Sequence, residues 1–86
     1  MNLKITFRHM EHTPALDNLI REKSEKFAKW MGPTTDVNWT CWTDGANQGS
    51  EVRIHNGHQE YFAKAQDDDL YKTFDQVVHK IQNQLK

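Results

Sequence analysis

The chain has a single cysteine, Cys41, so it cannot close an internal disulfide. One unpaired thiol is the cysteine usage of a reducing cytosol. No apolar run approaches the ~20 residues that a membrane-spanning helix needs, and the N-terminus lacks the apolar core of a signal peptide, so no secretory leader is expected. Net charge is also scarce, at −1 over 86 residues, which argues against a globally basic nucleic-acid binder. Internal repeats, linkers and low-complexity tracts are missing. What remains is one domain, residues 1–86, with one core. A hydrophobic content of 36% and three tryptophans make that domain globular rather than disordered.

The strongest pattern lies at the end of the chain, in DLYKTFDQVVHKIQNQLK over residues 69–86. Leu70, Phe74, Val77, Val78, Ile81 and Leu85 fall at spacings of four, three, one, three and four, a single apolar stripe on an α-helix. Burying six such side chains contributes about 1.5–3 kcal/mol each before entropy is counted. The Asp67-Asp68-Asp69 run sits where a helix N-terminus favours negative charge. Lys80 and Lys86 sit toward the end that favours positive charge.

Before it, residues 2–7 alternate, with Leu3, Ile5 and Phe7 on one side, as a half-buried strand does. Thr13 and Pro14 signal a helix start, N-cap then first helical residue. Leu16, Leu19, Ile20, Phe27 and Met31 mark its apolar face to about Trp30, interrupted by Lys23 and Ser24, and Gly32-Pro33 ends it. Three strands follow. Residues 36–42 set Val37, Trp39 and Cys41 against Asn38, Thr40 and Trp42; polar residues 44–49 read as a loop. Residues 50–55 turn Val52 and Ile54 inward. Asn56-Gly57 signals a two-residue hairpin, and residues 59–65 return with Tyr61, Ala63 and Ala65 on the inner face.

The order is β-α-β-β-β-α. This predicts an α+β two-layer sandwich, a four-stranded sheet with two helices on one face. Short connections make the two helices parallel, with both C-termini beside the Asn56-Gly57 hairpin and the acidic run at the far end. Charge is sorted along this axis. Residues 21–30 carry four bases against two acids, residues 79–86 carry Lys80 and Lys86 unopposed, and residues 67–78 carry four aspartates against Lys72. A positive pole of this kind can steer toward a polyanion at near-zero net charge. Complementation of the helix macrodipoles would produce the same sorting.

The opening NLKITFRHMEHTPAL, the Lys26-Phe27-Ala28-Lys29-Trp30 helix end and AKAQDDDLYKTFDQVVHKIQNQL together resemble a known family. It is that of the short bacterial ribosome hibernation-promoting factors and ribosome-associated inhibitor A, and the resemblance covers nearly the whole chain. It implies a non-enzymatic, cytoplasmic translation inhibitor that binds the small ribosomal subunit near its decoding centre. There it would occupy the space of messenger and transfer RNA and silence idle ribosomes under stress. Ribosomal RNA would be held by lysines on phosphates, which position without reading sequence. Lys23, Lys26, Lys29 and Lys80 match the family's basic positions, and the charge count adds Lys86. Asn83 replaces a usual arginine, Ser24 an often aliphatic residue, and Asp17 a residue that is basic in some members. The chain ends at Lys86 without a lysine-rich tail or a dimerising second domain. The lost positive charge predicts weaker ribosome affinity or a changed partner.

Other residues suggest rival chemistry. His9 with His12 and His55 with His58 have metal-ligand spacing, but the topology sets the pairs at opposite ends, so no metal or other cofactor is expected. Cys41, mid-strand, reads as a small core residue rather than a nucleophile. Trp42, Arg53, Phe62 and Lys64 are candidate contacts on the open sheet face. They could stack RNA bases, cover one another, or form an interface that supports weak self-association. The alternatives to ribosome binding are thus a protein-interaction module on the same fold and a single-stranded RNA binder using that face. Neither a membrane nor a small-molecule substrate is indicated.

Overall fold

Alternating side chains and two apolar stripes assemble, in a computed structural model of residues 1–86, as a mixed four-stranded sheet under two helices. The elements are β1 (Asn2–Arg8), α1 (Pro14–Met31), β2 (Asp36–Asp44), β3 (Asn47–Asn56), β4 (Gln59–Asp67) and α2 (Leu70–Gln84). Strand order is β1-β2-β3-β4. β1 pairs parallel with β2, and both other pairs are antiparallel. Thr13 caps α1, its hydroxyl accepting from the Leu16 amide at 3.2 Å, and Pro14 opens it. At the other end Gly32 adopts φ 101°, a left-handed value suited to glycine, and its N–H closes on the Ala28 carbonyl. Asp69 caps α2 by accepting from the Tyr71 amide at 2.9 Å.

Side-chain bonds give the helix directions. Gln76, Lys80 and Gln84 of α2 reach Asp67, Lys64 and Phe62 in turn, so α2 runs antiparallel to β4. The end of α1 lies by the β3–β4 turn, where Asn56 donates to the Met31 carbonyl. Since β2 and β4 are both antiparallel to β3, the two helices run in the same direction. They share one face of the sheet. Trp39 on β2 donates its indole N–H to Ser24 of α1 at 2.6 Å and lies edge-on to Phe74 of α2, centroids 5.7 Å apart. The core between the layers holds Leu16, Ile20 and Phe27 of α1 against Leu70, Phe74, Val77, Val78 and Ile81 of α2.

The structure corrects the expected turns. Residues 44–49 are not a loop: β2 and β3 stay paired to Asp44↔Asn47, leaving only Gly45-Ala46 as a two-residue turn. Polar residues misled the reading because the hairpin tip projects beyond the core. Gly45, at φ 61°, supplies the left-handed residue that such a tip requires. The next turn is offset by one residue. Gly57-His58 forms it, and Asn56 pairs with Gln59. Asn56 instead spends its amide on the end of α1. On β1, Leu3, Ile5 and Phe7 point inward but are only half-buried, because this is an edge strand.

Candidate nucleic-acid interface

The exposed face of the helical layer is built from two ridges. On α2, Lys72, Asp75, His79, Gln82 and Lys86 recur at spacings of three, four, three and four and are all exposed. On α1, Lys23, Lys26 and Trp30 recur at three and four. The ridges meet along the seam between the helices. Lys23 reaches across it to Asp75, Nζ to Oδ1 2.6 Å, and Trp30 shares a surface depression with Gln82, Leu85 and Lys86.

The five expected lysines are therefore not equivalent. Lys23 is half-buried and ion-paired. Lys26 and Lys29 are exposed and in no ion pair, and with Glu22, Lys23 and Glu25 they line a shallow groove of about 340 Å³ on α1. Lys86 is exposed at the end of α2. Lys80 lies on the other side of α2, where its ammonium donates to the Lys64 carbonyl at 2.6 Å. Together with Gln84, it occupies backbone acceptors of the edge strand β4. Because α2 runs on to Gln84, Lys80 also falls short of its last turn and does not complement the macrodipole there. Lys72 and His79, exposed on the same ridge of α2 as Asp75 and Gln82, were not among the residues singled out by the sequence reading. The three-four spacing that places them was visible, but Lys72 had been counted with the aspartates around it.

At the far end lie the acids. Asp67 accepts from the Asp69 amide and the Gln76 side chain, 3.1 Å each. A hydrogen bond from Asp68, then the Gln76 amide, draws its pKa down to about 2, while Asp68 is pushed above its ordinary value by Asp67. Asp17 is held below the usual carboxylate range by Arg21 and then His12, at 2.6 and 2.9 Å. That His12 also packs against Phe7, the two rings tilted with centroids 4.6 Å apart. Cys41 is fully buried, and burial pushes its thiol up to about 12. His9 lies beside Thr43 at one end of β2, and His55 pairs with Asp36 at the other. Nowhere do three histidine, cysteine or carboxylate side chains converge.

The four sheet-face residues do share the open face, in two pairs. The Lys64 ammonium lies over the Trp42 ring, 5.3 Å from its centroid, and the Arg53 guanidinium over Phe62 at 5.0 Å.

A two-layer α+β frame with exposed cations on its helical face is the architecture of a known protein family. A family model described as Sigma 54 modulation protein / S30EA ribosomal protein matches residues 3–86, and the chain belongs to that family. Over 85 residues it is 28% identical to the ribosome-associated factor Y of Haemophilus influenzae, covering 99% of this chain and 79% of that protein. It is 26% identical over 85 residues to the ribosome hibernation promoting factor of Klebsiella oxytoca, covering 99% and 90%. In fold it matches the Thermus thermophilus Protein Y N-terminal domain, with TM-score 0.91, 21% identity and coverage of 100% and 97%. A ribosomal subunit interface protein from Coxiella burnetii gives 0.85 and 22%, covering 99% and 93%. The family is non-enzymatic. No helix is long and apolar enough to cross a membrane.

Proposed function

We propose that the chain binds the small ribosomal subunit in the cytoplasm and inhibits translation in the hibernation mode. Its contact is the seam face of the helices, set against ribosomal RNA near the decoding centre. The observation that carries this reading is that Lys26 and Lys29 project from α1 free of any ion pair, with Lys86 exposed at the end of α2. Membership of the family, and relatives named as ribosome-associated and hibernation promoting factors, support the choice of polyanion. Lysine ammoniums on phosphates hold the domain by charge and shape, not by sequence.

The test is co-sedimentation with 30S and 70S particles across a salt series. Each neutralised phosphate lowers the slope of log affinity against log salt by about 0.7–0.9. Three free lysines therefore predict a slope of about −2 to −3. Reversing Lys26, Lys29 and Lys86 together to Glu should leave the fold intact, since exposed charges change stability by only tenths of a kcal/mol, and should abolish pelleting. Reversing Asp68 to Lys at the acidic end should weaken it little or not at all. A triple variant that pellets like wild type refutes the reading.

A further inference from the structure

Behind the helical layer, the open face of the sheet carries a regular grid set by strand register. One row reads Arg8, Trp42, Gly49 and Gln66 across the four strands. The next reads Thr6, Thr40, Glu51 and Lys64, and the one after it Lys4, Asn38, Arg53 and Phe62. Trp42 and Phe62 thus stand two strands and four residues apart. A rise of about 3.3 Å per residue and a strand spacing of about 4.8 Å separate them by roughly 16 Å.

Both rings are held in place and both are overlain by a cation. The indole of Trp42 leans over Gly49, its direct cross-strand partner. A Cβ on Gly49 would stand 2.5 Å from Cε2 and 2.8 Å from Nε1 of that ring. Glycine there is what lets the indole settle against the strand, with Lys64 across it. Phe62 is 40% exposed beneath Arg53. Beside Trp42 opens a concavity of about 540 Å³, lined by Arg8, His9 and Lys64 together with Asp44 and Glu51. His9 holds φ 59°, a left-handed value uncommon for a residue with a side chain, and its carbonyl accepts from the Thr43 hydroxyl at 2.8 Å. A strained residue fixed by a neighbouring strand at the mouth of a concavity is a feature that clusters at ligand sites.

We propose that this face is a second nucleic-acid site, for a short single-stranded RNA segment whose bases stack on Trp42 and Phe62. Lys64 and Arg53 leave the ring faces to meet the phosphates of that strand, joined by Arg8 and His9. Stacking on aromatic platforms beside cations is the general way such strands are held. Two platforms select a strand over a single nucleotide. The carboxylates of Asp44 and Glu51 accept hydrogen bonds only, so the base at Trp42 is one with an exocyclic amino group, adenine in preference to uracil. The site lies on the opposite face from the helical seam and does not rest on the ribosome reading.

The experiment is fluorescence anisotropy with labelled hexa-adenylate and hexa-uridylate. It is paired with an NMR titration that follows the three indole N–H signals. Hexa-adenylate should bind more tightly than hexa-uridylate and at least tenfold more tightly than AMP. It should shift the Trp42 indole signal and leave that of buried Trp39 in place. Trp42→Ala should weaken binding tenfold or more, as should Arg8→Gln with Lys64→Gln, which removes the Lys64 contact over Trp42 but keeps both aromatic platforms. Lys26→Glu with Lys29→Glu should change nothing. Binding lost in the helical variant but kept in the Trp42 and Arg8/Lys64 variants would overturn the proposal, and would leave the seam as the RNA surface. So would AMP binding as tightly as the hexamer, or an unmoved Trp42 signal at saturating RNA.

Discussion

Replacing Ser24 with alanine removes one oxygen atom from the centre of the core and leaves a donor behind. Ser24 is fully buried; its hydroxyl donates to the Ile20 carbonyl at 2.7 Å and accepts from the Trp39 indole at 2.6 Å. Trp39 is also fully buried, between Phe27 and Phe74. In Ser24→Ala the indole N–H has no other partner, and an orphaned buried donor costs about 1–3 kcal/mol. For a domain of this size each kcal/mol shifts Tm by about 4–8 °C, so a loss near 2 kcal/mol lowers Tm by roughly 8–16 °C. Trp39→Phe removes the donor. In that background the serine keeps only its helical back-bond, and Ser24→Ala should cost only tenths of a kcal/mol. Urea unfolding of the four proteins gives the coupling directly, and exchange of the indole N–H should quicken in the single Ser24 variant. A Ser24→Ala loss under about 0.5 kcal/mol, or additive effects of the two substitutions, would refute the claim that this bond closes the core.

Two further outcomes are expected. Cys41, with its thiol raised from 9.0 to about 12, stays protonated in the fold while an unfolded thiol ionises. The unfolded chain then holds fewer protons above pH 9, so stability falls as pH rises, at up to about 1.4 kcal/mol per pH unit. Urea midpoints measured from pH 8 to 10.5 should show this slope in wild type and lose it in Cys41→Ala; parallel curves would refute it. Asp75→Asn releases Lys23 into the seam. Because the pair is largely at the surface, stability should change by less than about 1 kcal/mol. Ribosome pelleting should become more salt-sensitive by about one phosphate contact, and an unchanged slope would mean that Lys23 does not reach RNA.

The final helix was legible because its stripe has one period and no exceptions. Leu70, Phe74, Val77, Val78 and Ile81 are all buried, and only Leu85, past the last turn, is half-exposed. The strands' inner faces were legible for the same reason: Val37, Trp39, Cys41, Val52, Ile54, Ala63 and Ala65 all line the core. Ser24 was legible only as an interruption, since periodicity counts polarity and cannot see a partner fifteen residues away. The hairpin tips failed differently. Composition marks where a turn is allowed, whereas register decides which pair of residues makes it, and Gly57-His58 won over Asn56-Gly57 once Asn56 found the end of α1. The lysines proposed for the site are a set that spacing alone can pick out, but their directions depend on neighbours that no spacing encodes.

Those directions decide which charges remain for a partner. An edge strand with free carbonyls invites another strand, and Lys80 meets that need by donating to Lys64. Two parallel helices packed on one sheet need a tie across their seam, and Lys23 supplies it through Asp75. Both lysines thus serve the fold and cannot contact a phosphate without giving something up. Lys26 and Lys29 carry no such duty, and losing them should leave every hydrogen bond of the core in place. Arg53 and Lys64 on the opposite face are in the same position, held only by a weak attraction to an aromatic ring, about 0.5–1 kcal/mol at an exposed site. A net charge of −1 conceals this division. Asp67 and Asp69 are engaged at the start of α2 and Asp17 by Arg21 and His12, while Lys26, Lys29, Arg53 and Lys64, in no ion pair, are left on the two broad faces that a polyanion can approach.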